Sequence, residues 1–100
     1  MYAIVRATTY DRQKLRNGRA QLDEFQAIHA RQPGYRGTVV VDVGNGRWIS
    51  VNLWESEQDA QEALPTMIPV VQRLIEPLTA GPSQLVGAGP VVLTDLSPAT

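Results

Sequence analysis

The amino-acid sequence predicts an α+β fold whose elements follow one another in the order β-α-β-β-α-β. Three observations support this prediction. Runs rich in β-branched residues lie near both ends of the 100-residue chain. A Gly-Asn-Gly turn joins two similar runs in the middle. Two stretches with helically spaced apolar residues separate these runs. The order is that of the ferredoxin-like fold, a four-stranded antiparallel sheet with helices on one face.

The first strand is predicted over residues 2–9, because β-branched residues dominate there and no helix breaker interrupts them. Asp11 is a suitable N-cap for a helix from Arg12 to Arg31. Pro33 and Gly34 end this helix. One apolar stripe with helical spacing runs along it, formed by Leu15, Leu22, Phe25 and Ile28.

The central hairpin is predicted to pair a strand at Thr38–Val43 with a strand at Trp48–Trp54, because the intervening Gly44–Gly46 turn tolerates positive φ. Side chains of the second strand alternate between two faces. One face is apolar and is expected to be core: Ile49, Val51 and Leu53. The other combines two indoles with a hydroxyl and an amide, and is expected to line either a pocket or a dimer contact: Trp48, Ser50, Asn52 and Trp54.

The second helix is predicted to begin after Ser56, which forms a capping-box pattern with Asp59. Its apolar pattern continues as far as Leu78, but Pro65 and Pro69 fall inside it. Proline removes a backbone hydrogen bond and clashes with the preceding turn. The sequence therefore predicts a helix broken into two pieces.

The last strand is predicted over Gln84–Leu93, with a bulge or bend at Gly87, Gly89 and Pro90. We expect residues 1–96 to form a single ferredoxin-like domain and residues 97–100 to form a flexible tail. The face of the sheet opposite the helices has no further residues to cover it. A second copy of the chain is the economical cover, which predicts a homodimer.

Composition and charge argue against several classes of function. The chain has no cysteine, which excludes disulfides, thiolate catalysis and cysteine metal sites. Its net charge is −1, and the eight Lys and Arg in residues 1–50 are followed by only one in residues 51–100, so no nucleic-acid partner is predicted. With no signal peptide and no apolar run long enough for a bilayer, we expect a cytoplasmic protein without a membrane partner.

Sequence motifs for hydrolysis, phosphate binding and metal binding are also missing. There is no cysteine and no Ser-x-Gly elbow to act as a nucleophile. The Gly44–Gly46 turn lies in a hairpin rather than between a strand and a helix, so it is not a phosphate loop. A single histidine without clustered carboxylates makes a poor metal site, and no metal is predicted.

Seven residues are candidates for a small-molecule site. Asn52 is predicted to be catalytic because asparagine is disfavoured in strands and its amide can stabilise an oxyanion. Trp54 and His29 are predicted beside it, since an indole orients an aromatic ligand and histidine titrates near neutral pH. Four more are predicted to bind substrate, with the arginine pairing with an anionic ligand: Arg6, Tyr35, Trp48 and Met67.

Structural roles for these residues remain open as alternatives. Asn52 can lie at a dimer contact and Trp54 can close the core where the strand meets the helix. His29 can be a half-buried surface residue beside the apolar stripe of the first helix. Met67 can be core filler rather than a group at the pocket mouth.

Three segments carry a resemblance to a known superfamily: the helix exit Q-P-G-Y-R-G at 32–37, the strand G-R-W-I-S-V-N-L-W-E-S at 46–56, and the helix start S-E-Q-D-A-Q-E-A at 56–63. They resemble the dimeric α+β barrel superfamily, especially its antibiotic-biosynthesis-monooxygenase-like branch. The resemblance implies a homodimer whose two sheets pack as a barrel. It also implies a pocket in each subunit between sheet and helices.

The same resemblance suggests a function. Members include cofactor-independent oxygenases of polycyclic phenols, which use an Asn, a Trp, a Tyr and an Arg; Asn52 and Trp54 match two of these residue types. The haem-degrading members use a histidine on the second helix and an asparagine in the first strand, and this sequence has neither. The resemblance implies a cofactor-independent monooxygenase acting on a small aromatic or polyketide-like substrate. A non-catalytic ligand-binding or stress-related barrel and a structural dimerisation module remain alternatives.

Overall fold

The computed structural model describes residues 1–96, and the predicted tail at 97–100 lies outside the described residues. The strands within that range are β1 (Tyr2–Thr9), β2 (Tyr35–Asp42), β3 (Arg47–Trp54) and β4 (Gln84–Pro90). The helices are α1 (Arg12–Arg16), α2 (Arg19–Ala30) and α3 (Glu57–Leu74), with a 3-10 turn at Glu76–Leu78.

The strands form one antiparallel sheet in the order β2-β3-β1-β4. The turn between β2 and β3 places Thr38 opposite Asn52. On the other side of β3, Ser50 lies opposite Arg6 of β1. The predicted α+β, ferredoxin-like fold is thereby confirmed.

Helices α2 and α3 cover the face of the sheet that carries the two tryptophans. Trp54 is 3% exposed and packs with the buried α3 residues Ala60, Ala63 and Met67. Ile49, Val51 and Leu53 alternate with the tryptophan face and therefore lie on the uncovered side. The expectation that these three residues form the core was wrong. Alternation separates the two faces of a strand but does not indicate which one the helices cover.

The predicted first helix is two helices, with a break at Asn17 and Gly18. Gly18 is buried against the 3-10 turn, and a Cβ atom there would lie 2.6 Å from Cδ2 of Leu78. The chain changes direction at a residue without a side chain because Leu78 needs that space. Asp11 is the N-cap of α1, as predicted, and its side chain accepts bonds from the amides of Gln13 and Lys14.

The predicted second helix is continuous, so the expected break was wrong. Helix α3 passes through Pro65 and Pro69, both exposed. The carbonyl groups that lose a bond to these prolines belong to Gln61 and Pro65, at exposed positions where water can bind them instead. Ser56 caps the helix as predicted, since its Oγ accepts a 3.1 Å bond from the amide of Asp59.

Strand β4 has a bulge at Val86, next to the predicted Gly87, because Val5 of β1 lies opposite Gly87 and Arg6 opposite Leu85. No irregularity occurs at Gly89 or Pro90, which pair regularly with Ala3 and Tyr2. The strand ends at Pro90 rather than Leu93. The chain beyond it continues through Val92 and Leu93, whose side chains are 96% and 90% exposed. None of the helices described is both long enough and apolar enough to cross a bilayer.

Candidate functional site

A cavity of about 1040 Å³ lies between the sheet and helices α2 and α3. Small-molecule sites are typically clefts of about 300–1000 Å³, so the space suits a ligand of several fused rings. The strands β1, β2 and β3 contribute Ile4, Arg6, Thr8, Thr38, Trp48, Ser50, Asn52 and Trp54 to its wall. The two helices contribute mainly apolar groups, including Leu22, Phe25, His29, Ala63, Met67 and Val71.

The structure brings six of the seven predicted site residues to this cavity: Arg6, His29, Trp48, Asn52, Trp54 and Met67. Tyr35 does not line it. Its ring lies behind the wall, 4.7 Å from the His29 ring between centroids, and its hydroxyl bonds to Thr38. Tyr35 therefore supports the wall rather than facing a ligand.

His29 occupies the centre of an aromatic cluster at one end of the cavity. The centroids of the Phe25 and Trp54 rings lie 5.3 and 5.5 Å from that of the imidazole. His29 is 6% exposed, and this burial lowers its pKa to about 4. The imidazole is therefore neutral at pH 7, a weak base that can still donate or accept a hydrogen bond.

Two buried nitrogen atoms in this cluster lack hydrogen-bond partners among residues 1–96: Nδ1 of His29 and Nε1 of Trp54. Buried polar atoms are almost always paired in folded proteins, so each such atom calls for an explanation. The indole N–H is a donor, and a neutral imidazole offers one donor and one acceptor. Both atoms are fully buried, so they belong to the aromatic packing behind the cavity surface.

The side chain of Asn52 is oriented by a chain of hydrogen bonds that starts on α2. Gln26 Nε2 donates to the Tyr35 hydroxyl at 2.9 Å. That hydroxyl donates to Oγ1 of Thr38 at 2.8 Å, and Thr38 donates to Oδ1 of Asn52 at 2.9 Å. Because the chain supplies a donor to Oδ1, the amide nitrogen with its two N–H groups remains for the cavity.

Gln26 and Thr38 were not predicted from the sequence. Thr38 could have been found, because a hairpin centred on Asn45 pairs position 38 with position 52. Gln26 of α2 bonds to Tyr35 of β2, and no local sequence pattern predicts this contact between a helix and a strand.

Arg6 lies on the same wall, two residues along β1 from Thr8. Its Nε donates to Oγ of Ser83 at 3.1 Å, and Thr8 Oγ1 lies 3.0 Å from the same oxygen. Ser83, in the segment before β4, was also missed, because its loop approaches β1 only in the folded chain.

The far end of the cavity is closed by Trp48, whose ring centroid lies 4.8 Å from that of Tyr10. Burial raises the pKa of Tyr10, which keeps this phenol protonated. Met67 is 7% exposed and closes the helix side. Over the residues described, no three His, Asp or Glu side chains cluster in a way that would hold a metal ion.

Solved structures share this architecture, whereas no protein-family model and no curated protein matches the chain. A protein of unknown function from Nitrosomonas europaea superimposes with a TM-score of 0.77 at 10% identity, covering 98% of this chain and 95% of that one. A mutant of SnoaB, a cofactor-independent oxygenase from Streptomyces nogalater, gives 0.75 at 18% identity, covering 96% and 97%. An antibiotic biosynthesis monooxygenase gives 0.74 at 11% identity, covering 93% and 100%.

The chain therefore has the same fold as SnoaB and as an antibiotic biosynthesis monooxygenase. The resemblance noticed in the sequence therefore agrees with the structure. At identities of 10–18% the likeness concerns the fold, and what the site does must be argued from its own residues.

Proposed function

We propose that this chain is a cofactor-independent monooxygenase that oxidises a small aromatic or polyketide-like phenol. The observation that supports the proposal most directly is the cavity itself, where a mainly apolar wall presents the oriented amide of Asn52. Such a pocket, apolar with a few placed polar groups, suits a flat aromatic substrate. SnoaB, a cofactor-independent oxygenase, shares the fold, which makes this chemistry the natural first hypothesis.

In the proposed reaction the bound phenol is the enol form of a ring ketone that carries a CH2 group. It gives its hydroxyl proton to water and becomes an electron-rich enolate, and the peroxide anion formed later takes a proton back from water. An N–H of Asn52 donates to the enolate oxygen and stabilises its charge, while Trp54 holds the ring plane. The substrate carbanion transfers electrons to dioxygen and forms a carbon–oxygen bond. Loss of water from the resulting hydroperoxide converts a ring CH2 group into a carbonyl, so one oxygen atom enters the product and the other leaves as water.

Oxygen uptake with anthrone as the substrate tests the proposal. Replacing Asn52 by alanine removes the donor to the enolate, and loss of one such donor lowers kcat by about 100-fold. Asn17→Ala is the matched control, because Asn17 is an exposed residue at the end of α1. Equal rates for wild type and Asn52→Ala would remove Asn52 from the mechanism. A wild-type rate no faster than the uncatalysed reaction would refute the oxygenase.

The second candidate is a ligand-binding or stress-related barrel without catalysis. The specific observation in its favour is the low pKa of His29, about 4, which makes it a poor base for a phenol at neutral pH. The carboxyl groups that line the cavity, those of Asp23 and Glu76, belong to exposed residues at its rim. Anthrone binding without oxygen uptake would favour this candidate.

We also propose that two copies of the chain associate through the uncovered face of the sheet, in the cytoplasm. This face carries apolar side chains, among which Val39 and Val41 are 46% and 49% exposed. Val92 and Leu93, beyond β4, add further exposed apolar surface. Apolar area of this extent is normally covered by a partner. The lack of cysteine fits a reducing compartment.

A further inference from the structure

Among the residues that the structure describes, Arg6 is a cation in the cavity wall without an anionic partner. The salt bridges found in residues 1–96 join Arg19 with Asp23, Arg36 with Glu55, and Arg73 with Glu24. None involves Arg6, although its side chain is partly buried and lines the cavity. A partly buried charge costs free energy when no opposite charge compensates it. An anionic ligand would supply that compensation.

The hydrogen bonds around Arg6 leave several N–H and O–H groups available to donate to a ligand. Ser83 Oγ accepts from Nε of Arg6 and lies 3.0 Å from the Thr8 hydroxyl. Thr8 donates to that oxygen, so Ser83 accepts from both partners and its own proton remains for a ligand. The guanidinium uses only Nε in this contact, so its two terminal nitrogens remain as a planar fork. A carboxylate matches such a fork with two parallel bonds.

A purely structural role for Arg6 explains less of this arrangement. Fastening the Ser83 segment to β1 requires a single donor, which a neutral glutamine could supply. Both hydroxyl groups and the guanidinium belong to residues of the same cavity wall. Their convergence is explained when they receive a ligand group.

The position of Arg6 also constrains the shape of the ligand. Arg6 lies opposite Ser50, and Trp54 is four residues further along β3. At about 3.3 Å per residue, these two positions are separated by about 13 Å along the strand. The end of the cavity around Trp54 is aromatic, formed with the rings of His29 and Phe25, so the cation lies far from this apolar end.

We infer that Arg6 and Ser83, with Thr8 holding the Ser83 hydroxyl in place, form a carboxylate subsite, and that the cavity takes an elongated aromatic acid with its carboxylate at Arg6 and its rings toward Trp54. This inference rests on the proposed small-molecule function and narrows its substrate class. Neither Ser83 nor Thr8 takes part in the proposed oxidation, which occurs near Asn52.

Binding of two matched probes tests the subsite: 6-hydroxy-2-naphthoate and its methyl ester, which differ only in the negative charge. Affinities are measured by calorimetry and by quenching of the two tryptophans, without oxygen consumption as a readout. A charge-assisted bidentate contact corresponds to a preference for the acid of about 10- to 100-fold in wild type. In Arg6→Gln the preference falls to about onefold while the ester binds as before.

Three further variants keep the test independent of folding defects. Arg31→Gln removes one positive charge at an exposed position outside the cavity, and it retains the wild-type preference. Arg6→Lys keeps the charge but not the fork, and it retains a reduced preference. Ser83→Ala removes one donor and weakens acid binding by a few fold. Equal binding of acid and ester by wild type, or an unchanged preference in Arg6→Gln, would overturn the subsite.

The outcome separates this inference from the proposed reaction. A preference for the acid that depends on Arg6, without oxygen uptake by any phenol, supports the subsite and refutes the oxygenase. Oxidation of anthrone with equal binding of acid and ester refutes the subsite and leaves the oxygenase standing.

Discussion

In a simple α+β domain the face of the sheet under the helices is apolar and the other face is polar. In this chain the covered face carries polar groups and the uncovered face is apolar. The face under the helices carries an arginine, an asparagine and several hydroxyl groups beside its two tryptophans, and it bounds a cavity. The uncovered face carries Val5, Ile49 and Val51, together with the exposed Val39 and Val41. Placing polar groups under a layer of helices costs stability unless they are paired. This difference supports the proposals that the covered face binds a ligand and that the uncovered face binds a second copy of the chain.

The two faces also differ in which features point to a function. On the covered face, the decisive features are individual atoms, such as Oδ1 of Asn52 and Nε of Arg6, with definite partners. On the uncovered face no single atom is decisive, and it is the exposed apolar area as a whole that favours association. Substitutions on the two faces should consequently fail in different assays.

The largest effect is expected from Val51→Glu, in the middle of the uncovered face. Val51 lies opposite both Val5 and Val39, so a carboxylate there would be buried without a partner when two sheets pack together. An unpaired buried charge costs about 3–5 kcal/mol, which weakens association by at least about 100-fold. Light scattering across a range of protein concentrations should show a dimer for wild type and a monomer for the variant.

Ala27→Glu adds the same charge on the exposed side of α2 and should leave the dimer intact. Val41→Glu, at a residue that is 49% exposed in the single chain, provides a second test with less risk to folding. A wild-type protein that is monomeric at all concentrations would contradict the proposed assembly. So would a dimer that survives both substitutions on the uncovered face.

A smaller effect concerns His29, on the covered face. Its pKa in the folded chain is about 4, below the ordinary value of 6.5 because burial disfavours the charged imidazole. Its contribution to stability is therefore fully present above pH 6.5 and is lost as the pH falls from 6.5 to 4. The loss amounts to roughly 2–3 kcal/mol. Urea unfolding at pH 7.5 and pH 4.5 measures it.

The matched variant is His29→Phe, which keeps an aromatic ring among Phe25, Tyr35 and Trp54 but cannot bind a proton. Carboxyl groups elsewhere titrate in both proteins, so only the difference between wild type and variant reports on His29. That difference should move by roughly 2–3 kcal/mol in favour of the variant at the lower pH. A constant difference at both values would show that the imidazole is not in a dry environment.

The sequence predicted the element order because strand composition, the Gly44–Gly46 turn and the Ser56 cap are local signals. It misjudged the helices where tertiary contacts decide. Gly18 breaks a helix because Leu78 needs its space, whereas Pro65 is tolerated because it lies on the exposed side of α3. Neither outcome can be deduced from residues close in the sequence.

In the candidate site, too, local patterns could be predicted from the sequence and tertiary contacts could not. Alternation along β3 placed Trp48, Asn52 and Trp54 on one wall, and the structure has them there. What the sequence could not reveal were contacts between distant elements: Gln26 with Tyr35, and Arg6 with Ser83. For Thr38 only the position could be predicted. The hairpin register places it opposite Asn52, whereas its hydrogen bonds depend on Tyr35.

The smallest expected effect is that of Thr38→Val, which has nearly the same shape but lacks the hydroxyl. The substitution removes the donor to Oδ1 of Asn52 and the acceptor for Tyr35, so it should destabilise the chain by about 1 kcal/mol in urea unfolding. It should also weaken binding of 2-naphthol a few fold, because the Asn52 amide is no longer held with its nitrogen toward the cavity. Thr38→Ser restores both bonds, and Thr66→Val at an exposed helix position should change neither property. If Thr38→Val binds 2-naphthol as wild type does, Asn52 is oriented by something other than this chain of bonds.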